Sequence, residues 1–136
     1  MPLDADIKAQ LVQYLELLEG DVLLKVSAGD DPVSKQMLEL LEELTRLSPR
    51  IKREKTSLPR TPSFSVNRPG EDTGIVFAGL PLGHEFTSLV LALLQVGGRA
   101  PKVQPGVLDR IRALPGEYRF ETYVSLTCNN CPDVVQ

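Results

Sequence analysis

Apolar residues in the first 98 positions alternate between a helical and a two-residue period, and the order of that alternation constrains the fold most. Ile7, Leu11, Leu15 and Leu18 recur at helical spacing. Asp4 is able to cap the start of this helix and Gly20 suits a left-handed end. Val22-Leu23-Leu24-Lys25-Val26 is a short, mostly apolar run of the buried-strand kind. Asp31-Pro32 then supplies a cap and a first-turn proline. Val33, Met37, Leu40, Leu41, Leu44 and Leu47 continue helically until Ser48-Pro49 stops them. A strand-like stretch at 51–56 and prolines at 59 and 62 precede a clear alternation, with Phe64 and Val66 facing one way and Ser63, Ser65 and Asn67 the other. Arg68-Pro69-Gly70 turns the chain towards an apolar run at 75–78. Phe86, Leu89, Val90, Leu93 and Leu94 mark a last apolar helix, ended by Gly97-Gly98. Residues 1–98 therefore spell α-β-α-β-β-β-α, a complete small α/β unit.

Residues 99–136 begin the same order again. After a polar connection, Val107, Leu108, Ile111 and Leu114 mark one helix face behind Pro105, and Pro115-Gly116 ends it. Tyr118, Phe120, Thr122 and Val124 alternate with Arg119, Glu121, Tyr123 and Ser125, which predicts a strand. This is a weak internal repeat whose second copy stops after its first strand. The expectation is of a chain cut short, with an unprotected terminal segment.

Charge and hydropathy remove several classes of function. Fifteen basic against eighteen acidic side chains leave a net charge of −3, which argues against nucleic acid as the main partner. The longest apolar run, six residues at 89–94, is far short of the roughly 20 that cross a bilayer. Asp4 and Asp6 stand where an export signal would carry basic residues, so a cytoplasmic location is expected.

The two cysteines both fall in the last nine residues, as Cys128-Asn129-Asn130-Cys131-Pro132 directly after the expected strand. Cys-x-x-Cys between a strand and a helix is the arrangement of a thiol–disulfide exchange site. Two intervening residues bring both sulfurs to the first turn, close enough for a reducible disulfide. The helix start favours a thiolate on the first cysteine, and Pro132 loses nothing there. Cys128 is then the exposed nucleophile and Cys131 the resolving thiol. Zinc is a competing reading, but the two cysteines and the single His84 make three of the four ligands it needs. A structural disulfide is the other, although so short a loop constrains little unfolded chain.

Residues 122–136, Thr-Tyr-Val-Ser-Leu-Thr-Cys-Asn-Asn-Cys-Pro-Asp-Val-Val-Gln, resemble the redox-active segment of the N-terminal domain in the AhpF family of alkyl hydroperoxide reductases. Residues 77–94, Phe-Ala-Gly-Leu-Pro-Leu-Gly-His-Glu-Phe-Thr-Ser-Leu-Val-Leu-Ala-Leu-Leu, resemble it too, and the likeness extends over essentially the whole chain. The resemblance implies two thioredoxin-like folds in tandem. The first, cysteine-free, is expected at 1–98, and the opening helix and strand of the second at 99–136. It also implies electron transfer from a flavin-containing, NADH-oxidising portion to a peroxiredoxin, in defence against reactive oxygen species, with a homodimer formed elsewhere in the protein. FAD and NADH belong to that other portion, because no GxGxxG follows any strand here. Asn129 departs from the His that commonly follows the first cysteine in the family, which removes one source of thiolate stabilisation. A stand-alone glutaredoxin-like protein disulfide oxidoreductase and a non-catalytic thioredoxin-like docking module remain alternatives.

Three further features have a plain reading and a sharper one. His84 and Glu85 open the apolar helix, where an acidic residue suits the positive dipole end. The sharper reading faces them to the dithiol across the two folds, where a carboxylate tunes a cysteine. Thr61-Pro62 occupies the place at which thioredoxin-like folds keep a cis-proline, here an architectural one. Arg50, Lys52, Arg53, Lys55 and Arg60, opposed only by Glu54, form either a solvated face or a dock for an acidic partner.

Overall fold

The computed structural model describes residues 3–136. Helix α1 (Ala5–Leu15) begins where Asp4 accepts a hydrogen bond from the Ile7 amide at 2.8 Å, and it buries Leu11 and Leu15. It closes at Glu16, well before strand β1 (Val22–Ser27) opens. Gly20 is therefore not the helix cap that its position suggests; its amide donates instead to the Gly97 carbonyl at 2.9 Å. Helix α2 (Pro32–Leu47) is capped by Asp31, whose carboxylate accepts from the Ser34 amide at 3.0 Å and the Ser34 hydroxyl at 2.6 Å. Met37, Leu40, Leu41 and Leu44 of α2 are fully buried, as their spacing predicts.

Strands β2 (Ile51–Lys55), β3 (Ser63–Asn67) and β4 (Val76–Ala78) complete a four-stranded sheet in the order β2-β1-β3-β4. The β1–β2 pair is parallel, with Val22 opposite Ile51, and helix α2 makes the crossover. The other pairs are antiparallel, with Leu24 opposite Val66 and Phe64 opposite Phe77. Phe64 and Phe77 stack with ring centroids 5.4 Å apart. Every residue of β3 is buried, including the polar face. That face is satisfied locally: the Ser63 hydroxyl donates to the Arg60 carbonyl, and Asn67 Nδ2 donates to Ser65 Oγ at 2.7 Å. A 3-10 turn (Gly83–Glu85) leads into helix α3 (Phe86–Val96). The peptide bond between Thr61 and Pro62 is cis.

Among the described residues, all buried hydrophobic side chains lie between Leu3 and Val96. Beyond them come helix α4 (Pro105–Arg112), which buries no residue, and a short helix α5 (Cys131–Val135). The strand expected across Tyr118–Val124 does not form: residues 117–125 join no ladder, and Phe120 is 89% exposed. Alternation supplies one apolar face, but a strand also needs a neighbouring backbone to satisfy its amides. None of β1–β4 pairs with this segment. Instead it touches the first unit through Arg60, whose guanidinium meets Glu121 at 3.1 Å and lies 5.7 Å from the Tyr123 ring.

Candidate functional site

The Cys-x-x-Cys loop is built from a tight turn and a short helix. The Cys128 amide donates to the Ser125 carbonyl at 3.0 Å, closing a turn just ahead of the first cysteine. Helix α5 begins at Cys131, so Cys128 stands before the helix rather than in its first turn. Asn129 and Asn130 carry the chain between them, and Asn130 makes no side-chain cap. Both cysteines are free and half-buried.

The two thiols are held in opposite states. The neighbouring Cys131 thiol first, and the Asn130 backbone second, hold the Cys128 thiol below its usual range. The same pairing with Cys128 pushes the Cys131 thiol up, and the negative charges of Cys128 and Glu85 add to the effect. Glu85 opposes a thiolate on Cys128 as well. Cys128 is the group more easily ionised.

The first unit meets this loop through its 3-10 turn and α3. The His84 amide donates to the Leu126 carbonyl at 3.0 Å, two residues before Cys128. At the far end of α5, Gln136 Nε2 donates to Ser88 Oγ at 3.2 Å and Thr87 Oγ1 at 3.3 Å. Glu85 is 3% exposed; its Oε2 accepts from the Ser88 hydroxyl at 3.3 Å and its Oε1 has no hydrogen-bond partner. The structure thus brings Cys128, Cys131 and Glu85 together. The exposed His84 contributes its backbone to the contact. Leu126, Thr87, Ser88 and Gln136 join the site without any mark in their local sequence pattern, because a long-range contact leaves none.

One sequence signal for the site lies elsewhere. Ala28-Gly29-Asp30-Asp31-Pro32, between β1 and α2, stands a hundred positions before Cys128-Asn129-Asn130-Cys131-Pro132, residue for residue. The two segments share the proline, and Ala28 and Asp31 stand at the cysteine spacing before it. The Asp31 carboxyl is held below its ordinary range by the Ser34 hydroxyl first and the Ser34 amide second. Where the second unit has a thiol pair, the first has a helix cap.

Three members of the basic run have acidic partners: Lys52 and Arg50 meet Asp21 at 3.1 and 3.8 Å and Arg60 meets Glu121 at 3.1 Å, while Glu54 lies 3.9 Å from Lys25, outside the run. Among the described residues, no group of three or more His, Cys, Asp or Glu side chains gathers to hold a metal ion, and no helix is long and apolar enough to cross a membrane.

No protein-family model matches the chain. It is 71% identical over 136 residues to a protein of Ferdinandcohnia aciditolerans named NADH dehydrogenase, covering all of this chain and 26% of that protein. It is 60% identical over 134 residues to the F component of the alkyl hydroperoxide reductase of Staphylococcus aureus, covering 98% of this chain and 26% of the relative. The crystal structure of the NTD_N/C domain of alkylhydroperoxide reductase AhpF from Enterococcus faecalis superimposes with a TM-score of 0.83 at 29% identity, over 97% of this chain and 70% of that one. Over nearly its whole length the chain is similar to AhpF, the F component of alkyl hydroperoxide reductases. It spans about a quarter of the length of the curated relatives it matches. A protein disulfide oxidoreductase from Aeropyrum pernix shares the fold, with a TM-score of 0.85 at 18% identity over 99% of this chain and 65% of that one. The fold is thioredoxin-like, as the resemblance implied. In this chain, the cysteine-free unit supplies the surface on which the Cys-x-x-Cys loop rests.

Proposed function

We propose that Cys128 and Cys131 form the exchange site of a thiol–disulfide relay that passes electrons to a peroxiredoxin of the alkyl hydroperoxide reductase C type. The Cys128 thiolate attacks one sulfur of the partner's disulfide, forming a mixed disulfide and releasing the partner's other sulfur as a thiolate. Cys131 gives up its proton and attacks the Cys128 sulfur. The second partner thiol leaves, and a Cys128–Cys131 disulfide remains. Two electrons have moved to the partner. The observation that carries this reading is the Cys128-Asn129-Asn130-Cys131 loop itself, two free, half-buried thiols at the start of α5 that the His84–Leu126 hydrogen bond holds against the first unit; the lowered Cys128 thiol and the raised Cys131 thiol accord with it. A low attacking thiol and a high resolving thiol suit that sequence of steps.

Return of the dithiol to its reduced form needs a reductant, which we assign to a flavin-containing, NADH-oxidising portion of a longer, homodimeric protein in the cytoplasm. The absence of a Gly-x-Gly-x-x-Gly motif from these residues supports placing FAD and NADH in that other portion. Glu85 acts on the relay from the first unit: its charge makes a thiolate at either cysteine more costly, which limits idle reactivity. Trapping tests the roles. With an oxidised peroxiredoxin, Cys131→Ser should accumulate the mixed disulfide and Cys128→Ser should form none. A mixed disulfide through Cys131 in the Cys128→Ser protein would overturn the assignment.

A further inference from the structure

We propose that Gly83 and the His84 amide form a backbone clamp that positions the dithiol against the buried carboxylate of Glu85. The clamp rests on the exchange-site reading and adds positioning residues to it. Gly83 has φ +60°, and a Cβ there would lie 2.8 Å from the Leu126 carbonyl oxygen. That oxygen is the acceptor of the His84 amide at 3.0 Å, so the side-chain-free surface of Gly83 is what lets the two backbones approach. The obstacle would be backbone, which cannot swing aside as the end of a side chain can.

The clamp joins elements distant in sequence. Leu126 stands two residues before Cys128, and Glu85 directly follows His84. One hydrogen bond therefore fixes both the approach of the cysteine loop and the place of the carboxylate whose Oε1 is buried without a partner. Gln136 on Ser88 and Thr87 pins the other end of the loop. The helix-opening turn of a fold without cysteines thus sets how strongly Glu85 acts on the thiols of the next.

Gly74 provides the control. It has φ +77°, with nothing within 4 Å of the place of a Cβ, so Gly74→Ala imposes backbone strain without a clash. The test reads Cys128 alkylation against pH in the full chain, with and without Glu85→Gln. Glu85→Gln is expected to speed Cys128 alkylation near neutral pH by about threefold, because removing the charge raises the thiolate content. That gain should vanish in the Gly83→Ala background and persist with Gly74→Ala. His84→Pro deletes the donating amide in the first turn, where proline is tolerated, and should also abolish the gain if Gly83→Ala fails to fold. An equal gain in all backgrounds, or none in the parent, overturns the clamp. Mixed-disulfide trapping by Cys131→Ser reports on the exchange site separately: trapping without coupling defeats the clamp alone, and no trapping defeats the reading beneath it.

Discussion

The His84 amide donates to the Leu126 carbonyl at 3.0 Å, which brings the next residue, Glu85, alongside the cysteine loop, where its charge opposes a thiolate on Cys128. The carboxylate is 3% exposed, and its Oε1 finds no donor. It stands immediately before α3 yet makes no side-chain cap there. Its Oε2 accepts a hydrogen bond from the Ser88 hydroxyl, one turn into α3.

Neutralising this carboxylate separates the two readings. Glu85→Gln should lower the Cys128 thiol and hasten its alkylation by about threefold near neutral pH. An unchanged rate would leave Glu85 as a helix-start residue, and its loss would then appear in a melting experiment instead.

The pH dependence of the two thiols follows from how each acts on the other. Thiolate is the reactive form, so a lowered thiol reacts at lower pH and a raised one only at higher pH. Alkylation of Cys128 should rise at a lower pH than that of Cys131, followed by mass spectrometry of the reduced protein. Cys131→Ala removes the largest cause of the Cys128 shift and should move its profile to higher pH. Coincident profiles for the two residues in the parent would contradict this arrangement.

Most of the first unit is legible in the sequence because its signals are local and agree with one another. Asp4 caps α1, Asp31 and Pro32 open α2, and Leu11, Leu15, Met37, Leu40, Leu41, Leu44, Leu89 and Leu93 are buried as their spacing predicts, while Val33 at the start of α2 stays exposed. Where the structure departs from the pattern, the missing information is non-local. Tyr118–Val124 alternates like a strand, but no neighbouring strand accepts it. The spacing places both cysteines at a helix start, yet α5 begins only at Cys131 because the turn closed by Ser125 comes first. The pair itself is evident from its spacing. The contact of His84 with Leu126 is not, since it depends on how distant segments pack.

The uneven distribution of burial has a direct consequence for stability. Leu40 is fully buried in α2, whereas Phe120 is 89% exposed. Leu40→Ala should cost about 2–5 kcal/mol in denaturant unfolding. Phe120→Ala should stay within about 0.5 kcal/mol of the parent. A large loss at Phe120 would mean that the 117–125 segment packs in solution against something the first unit does not supply.

Delivery of two electrons from this dithiol to a peroxiredoxin disulfide is the step on which the proposed function stands. Mixing the pre-reduced chain with an oxidised peroxiredoxin of the C type, then counting free thiols on each protein by mass spectrometry, tests it most directly. The peroxiredoxin is expected to gain two thiols while Cys128 and Cys131 become joined as a disulfide. A peroxiredoxin that stays oxidised while both cysteines remain free would contradict it.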